Sequence, residues 1–400
     1  MAWHFARRTG WNLTTNAYTR ALHEHTRSGK ELLDLTASNP TTIGLSYDEA
    51  RILGALARKE SLVYDPTPKG LFVARLAVAG YYAERGIEID PEDLILTTST
   101  SEAYSFLFRL LCDPGDAVLV PTPSYPLFDF LADLQDVTLV PYELVYDHGW
   151  QMDFRSLEQG LAVSPKCRAV LVVHPNNPTG SFVKAHEATQ LASFCAGNEL
   201  AIIADEVFLD YGFDQQKPLS FAGLGWGLAQ GNSTLSFALS GLSKISGLPQ
   251  MKVAWIVVSG PKEVKEQALD RLEVIADTYL SMNAPVQWAI PELLAERHAI
   301  QRQLLARIHT NLAELDRQLG TQKLCSRLKV EGGWYVVLRV PVRGSDEDLA
   351  IALMRETEVL VQPGHFYDFP GDGYLVLSLI TPEEILAEGF RRLLRFVALA

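Results

Sequence analysis

The sequence predicts an α/β protein: a large domain on a mostly parallel seven-stranded sheet flanked by helices, joined to a smaller α+β domain. Three observations carry this expectation. Seven short runs rich in Val, Ile and Leu follow one another from about residue 90, as strands buried on both faces of a sheet do. Amphipathic stretches separate them, and repeated strand–helix–strand units build parallel sheets through right-handed crossovers. After about residue 260 the pattern changes to long helical stretches followed by three further strand-like runs.

Taken in order, the first 45 residues show no sheet pattern of their own and are expected to pack on the smaller domain. The seven runs are LILTT, AVLVP, VTLVPY, RAVLVVH, LAIIAD, TLSFAL and VAWIVV, with Leu94 opening the first and Val258 closing the last. Among the intervening helical stretches, AHEATQLASFCAGN ends in Gly-Asn, a helix stop signal. A helical region from about Pro261 to Leu319 is broken near SMNAP. GGWYVVLRV, EVLVQPG and GYLVLSLI then read as strands, with a helix between the first two, and TPEEILAEGFRRLLRFVAL reads as a closing helix. These changes place the large domain at residues 46–290 and the small domain at 1–45 plus 291–400.

The totals exclude several function classes. Of 400 residues, 48 % are apolar and 21 % charged, as in a soluble globular chain. The formal charge of −13 argues against nucleic acid or an anionic membrane as a main partner. The four cysteines, Cys112, Cys167, Cys195 and Cys325, have no metal-ligand spacing and do not suggest a disulfide framework. The N-terminus carries no secretory h-region, and no apolar run is long enough to span a bilayer, so a cytoplasmic protein is expected. The glycines around Gly225 in GLGWG follow no strand and lack the spacing of a dinucleotide fingerprint, which removes a nicotinamide dehydrogenase.

In an open α/β sheet, ligands sit beyond the carboxyl ends of the strands, so the residues just after each apolar run are the candidates. Ser99, Thr100 and Ser101 open a helix, where backbone N–H groups and the helix dipole can seat an anion. An ordinary N-cap with Glu102 closing a capping box explains them equally. Tyr125 stands on a stiff turn between prolines and offers a ring face; a packed loop tyrosine is the plainer reading. Asn177 in PNNPTG is fixed in one direction by Pro178 and Gly180, although turn chemistry alone accounts for Asn-Pro and Thr-Gly. Asp205 ends a strongly apolar strand, where a carboxylate needs a partner. Lys244 in SGLSKISGLPQ follows a buried strand, and burial of an amine lowers its pKa and makes it nucleophilic. Each observation is weak alone. Together they describe a ligand with a phosphate, an aromatic face, a ring oxygen, a basic ring nitrogen and an aldehyde: pyridoxal 5′-phosphate.

The order and spacing of NNPTG, ADEVF and SGLSKISGLPQMKVAW resemble the fold-type I, class I/II pyridoxal-phosphate aminotransferases over nearly the whole chain. The resemblance implies a homodimer with shared active sites, an amino donor and a keto acceptor as substrates, and transamination as the reaction. It implies that Lys244 forms the aldimine with the cofactor and moves the proton between Cα and C4′. Asp205 would pair with the pyridine nitrogen, Asn177 would hold the ring oxygen, and Tyr125 would stack on the ring. Ser99, Thr100, Ser101, Ser243 and the cation Lys252 would surround the phosphate, and Tyr64 in YDPTPKG would reach the neighbouring subunit's phosphate. One carbanion also feeds elimination, decarboxylation and acyl transfer, so a lyase on this fold stays open. So does a regulatory protein that binds the cofactor without turnover, although no DNA-binding segment is present.

Four positions depart from the family pattern. Lys252 stands where Arg is usual, a point charge in place of a fork. Phe208 replaces a Tyr that bonds the ring oxygen, and Gly241 a phosphate-binding Ser. Val376 stands where the family places the Arg that clamps the substrate α-carboxylate, and residues 356–390 contain no Lys or Arg. Three readings remain: another cation such as Arg339 or a partner's group takes the carboxylate; the substrate has none; or backbone N–H groups or His365 hold it. Trp3, Trp11, Tyr47, Phe366 and Tyr367 are candidate pocket aromatics by analogy. No arginine lies near ADTYLSMN, which disfavours aspartate as donor.

Overall fold

The computed structural model describes residues 3–126, 128–214, 218–223, 234–280 and 282–399. The glycine stretch around Gly225 lies outside the described residues. In chain order the strands are β1 (Leu33–Asp34), β2 (Leu94–Thr97), β3 (Ala117–Thr122), β4 (Thr138–Tyr146), β5 (Trp150–Met152), β6 (Cys167–Val173), β7 (Ala201–Asp205), β8 (Ser236–Gly241), β9 (Ala254–Ser259), β10 (Ser326–Arg327), β11 (Tyr335–Arg339), β12 (Val359–Leu360), β13 (Gln362–Pro363) and β14 (Tyr374–Ser378).

All seven apolar runs after residue 90 are strands of one sheet, in the order β2-β9-β8-β7-β6-β3-β4-β5. Neighbours among β8, β7, β6, β3 and β4 pair in parallel, while β9 runs antiparallel to both β8 and β2. The sheet has eight strands rather than seven. The extra one, β5, is three residues long and pairs antiparallel with the end of β4 at the sheet edge. Trp-Gln-Met is too short to stand out as an apolar run.

Side chains of these strands alternate between two cores, as the period of two requires. Ile202 and Ala204 of β7 pack on one face with Leu191 and Ala192 of the helix Ala185–Gly197. Ala201 and Ile203 pack on the other with Phe106 and Leu107 of the helix Thr100–Leu111 and Leu272 of the helix Lys262–Tyr279. Both faces are covered, which is why the runs read as continuous apolar stretches.

A third core surrounds the antiparallel sheet β10-β11-β14-β13. The first 45 residues do pack on it, through Tyr18, Ala21, Leu35 and Ile43. They also contribute β1, which pairs in parallel with β12. EVLVQPG therefore splits between two sheets, since β12 and β13 join different partners. The helical region breaks near SMNAP, between Tyr279 and Ala284, and again at Glu296. The packing partner changes at that second break. Leu293 and Leu294 belong to the core of the large sheet, Ile300 and Leu304 to that of the small one. The four cysteines are free thiols. Among the described residues, no helix is long and apolar enough to cross a membrane.

Candidate active site

The carboxyl ends of β2, β3, β6, β7 and β8 open on one cavity of about 1460 Å³, counted out to its mouth. Its wall includes nine of the residues singled out from sequence: Ser99, Thr100, Ser101, Tyr125, Asn177, Asp205, Phe208, Ser243 and Lys244. They come from five separate segments, so only the fold brings them together.

After β2 the chain turns at Thr98 into the helix Thr100–Leu111. Ser99 is its N-cap and accepts from the Glu102 N–H at 3.1 Å. Glu102 reaches back to the Thr98 N–H at 2.7 Å. The capping reading is met in these two bonds, and the same helix start faces the cavity, where its N–H groups are open to an anion.

After β7, Asp205 is 8 % exposed. Its Oδ2 accepts from the Tyr104 hydroxyl at 2.9 Å, and its Oδ1 from the Val207 N–H at 3.1 Å. Burial pushes this carboxyl up, while those two donors and Lys244 pull it down. Glu206 turns the other way. It accepts from Ser220 Oγ at 2.7 Å and the Phe221 N–H at 2.5 Å, and burial raises it to about 7.

Lys244 lies in the short helix Leu242–Ile245 that follows β8. Its Nζ is 4.7 Å from the centre of the Trp334 ring and 5.5 Å from that of Phe208. Burial lowers its pKa to about 8, with Asp205 acting in the opposite sense. An amine so placed is still mostly protonated at neutral pH but gives up its proton far more readily than an exposed lysine.

Adjacent asparagines divide the labour in PNNPTG. Asn176 donates to the Pro123 carbonyl and Thr179 Oγ1, both at 3.0 Å, and accepts from Ser124 Oγ at 3.1 Å. It thereby holds the turn that carries Tyr125. Asn177 lines the cavity, and its Oδ1 is buried without a hydrogen-bond partner among the described residues. The open atom is an acceptor facing the cavity, so a bond to a ring oxygen falls to the amide's Nδ2.

Two expected residues are not in the wall. Lys252 is exposed, with φ of 52°. Tyr64 is 76 % exposed and lines a separate cleft with Gly70, Leu96 and Gln287. The departures have local reasons. A Cβ at Gly241 would meet the Val253 carbonyl oxygen at 2.6 Å and Ala254 Cα at 2.9 Å, so no serine fits there. Phe208 is buried edge-on against Trp334 at 5.2 Å between ring centres. Val376 is fully buried, opposite Val337 on one side and Gln362 on the other. Arg339 is exposed, 5.9 Å from the Tyr374 ring, and His365 is exposed; neither lines the cavity. Of the candidate aromatics only Tyr367 lines it. Trp3 is exposed, Trp11 donates to Asp133, Tyr47 donates to the Gly247 carbonyl and Phe366 packs on Tyr18.

Sequence reasoning missed Tyr104, Ser38, Tyr335 and Gln362, all of which line the cavity. Tyr104 carried a signal, since it lies three residues after Ser101 on one helix face. The other three come from the N-terminal segment and the small sheet, and nothing local marks them.

The residues present fit pyridoxal 5′-phosphate. An amine of lowered pKa, a buried carboxylate, an open amide and a capped helix start face one space. The model of the family "Aminotransferase class I and II" matches residues 66–387. The alanine aminotransferase of Mycobacterium tuberculosis is 27 % identical over 393 residues, covering 94 % of this chain and 89 % of its own. The glutamate-pyruvate aminotransferase AlaA of Haemophilus influenzae is 26 % identical over 382 residues, covering 92 % and 91 %. The structure of an alanine aminotransferase from Pyrococcus furiosus superposes with a TM-score of 0.88 at 21 % identity, covering 99 % of this chain and all of that one. The chain thus belongs to the class I and II aminotransferases, enzymes that work with pyridoxal 5′-phosphate.

Proposed function

We propose that the cavity is where this aminotransferase moves an amino group from a donor amine to a keto acceptor, with Lys244 as its proton carrier. The observation that carries the assignment is the convergence of Lys244, Asp205 and Asn177 on one cavity. When bound, the cofactor supplies an electrophilic aldehyde carbon and a ring that accepts electrons.

The chain's own residues do the rest. N–H and hydroxyl groups of Ser99, Thr100 and Ser101, with Ser243, hold the phosphate, and Lys252 adds positive charge from outside the wall. Asp205 keeps a proton on the ring nitrogen, and the Tyr104 hydroxyl fixes that carboxylate in place. Asn177 holds the ring oxygen and Tyr125 covers the ring face. Lys244 Nζ would take the proton from the donor's Cα and hold it for return. Phe128, Leu131 and Phe208 keep water from that transfer.

The working unit is a homodimer in which Tyr64 reaches the neighbouring subunit's phosphate, in keeping with its exposure. The large domain is residues 46–290 and the small domain 1–45 plus 291–400, a division supported by the separate apolar cores, with the core packing changing a few residues later, between Leu294 and Ile300. The compartment is the cytoplasm. Borohydride reduction of the cofactor-loaded protein, followed by peptide mass spectrometry, tests the assignment. The label belongs on Lys244; a label on another lysine, or none, removes it.

A further inference from the structure

The cavity wall carries one cation among its described residues, Lys244, and one anion, Asp205. The remainder is neutral. On the side facing the small sheet stand Ser38, Tyr335, Gln362 and Tyr367. Burial raises the pKa of both phenols, so they stay uncharged at any working pH. The Tyr367 hydroxyl donates to Gln362 Oε1. That bond occupies the amide's acceptor and leaves Gln362 Nε2 to donate to a ligand.

Among the described residues, other basic side chains do not enter the wall. Arg339 lies exposed beside the Tyr374 ring, His365 is exposed against Phe366, and Arg8 pairs with Asp136 at 2.7 Å. Val376, next to Gln362 in the sheet register, is sealed in the core and offers no charge. Lys244 apart, which the reaction itself uses, a carboxylate brought into this chain's wall loses its water and gains no counter-charge among the described residues, which is the costly case. A neutral carbonyl or hydroxyl needs only a donor.

We propose that the donor is a primary amine whose group next to the reacting carbon is uncharged, an amide, an ester or an alcohol, with Gln362 Nε2 donating to that group's oxygen. The inference rests on the aminotransferase assignment of the same cavity. Gln362 sets specificity through Tyr367, which orients its amide. The keto or aldehyde acceptor carries the same neutral group, because it occupies the same wall in the return half of the reaction.

Single-turnover mixing of cofactor-loaded protein with L-alanine or L-alaninamide, read as decay of the cofactor absorbance, provides the test. L-Alaninamide reacts at least tenfold faster in second-order rate. Gln362→Arg narrows or reverses that ratio, and Gln362→Glu slows the amide while borohydride labelling of Lys244 is retained. Equilibrium binding read by tryptophan fluorescence, with unreactive propionamide and propionate, gives the same order without turnover. L-Alanine reacting as fast as its amide, propionate binding as tightly as propionamide, or a ratio unmoved by Gln362→Arg overturns the inference. Failure of both amines to react with loaded protein, when a separate borohydride-treated sample carries the label on Lys244, also overturns it and leaves the cofactor site standing. Loss of the Lys244 label instead overturns the assignment beneath it.

Discussion

The amine of Lys244 has a consequence that is measurable without cofactor. Its pKa falls from 10.5 to about 8 on burial. Between those values the unfolded chain holds more protons than the folded one, so folding stability rises with pH across that window. Below about pH 8 both states are protonated and the penalty is constant, up to ~3 kcal/mol. Lys244→Met removes it. In cofactor-stripped protein the variant has the higher urea midpoint at pH 7, and the gap closes as pH approaches 10.5; a gap independent of pH contradicts the assigned burial. In the loaded enzyme, Lys244→Ala lowers turnover by about 10²–10⁴-fold, the range of a lost acid–base group. Tyr104→Phe removes one of the two bonds that hold Asp205. It lowers stability by about 1–3 kcal/mol in denaturant melts, the cost of a hydrogen bond to a charged group. At this scale the sequence disclosed residues that follow apolar runs, because strand ends and special turns leave local marks. It did not disclose Gln362 or Tyr335, whose place depends on how a distant sheet docks.

Elements show why two glycines resist replacement. Gly241 closes β8 where it pairs with Ala254 of β9, and any side chain there strikes the Val253 carbonyl. Gly241→Ser costs about 1–3 kcal/mol, as overpacking does, and lowers the urea midpoint. Gly180 has φ of 67°, and a Cβ there would lie 2.5 Å from the Gly332 carbonyl oxygen. This glycine presses the PNNPTG turn against the chain leading into β11, a tie reinforced by the Glu331 N–H donating to its carbonyl at 3.1 Å. Most elements were legible from sequence for a physical reason. A strand covered on both faces has no polar positions to interrupt its pattern, as β7 and β8 demonstrate by burying every residue. β1, β5 and β10 escaped because two or three residues carry no period, while EVLVQPG read as one strand where β12 and β13 join different sheets.

At the scale of the whole molecule, Leu62, Val63 and Tyr64 are each more than 60 % exposed in the single chain. In the proposed homodimer a second copy would cover this stretch of open apolar surface. The expected outcome is that the loaded protein sediments at twice the 44.3 kDa chain mass. Tyr64→Ala weakens cofactor retention on dialysis without altering the borohydride site; retention unchanged from wild type detaches Tyr64 from the phosphate. The cavity draws its wall from positions as far apart as Ser38 and Tyr367. No proteolytic fragment and no half-translated chain can therefore assemble it. During refolding from denaturant the yellow colour returns last, after helix and sheet signals have recovered, and excess vitamin B6 phosphate in the buffer raises the melting temperature of the finished protein.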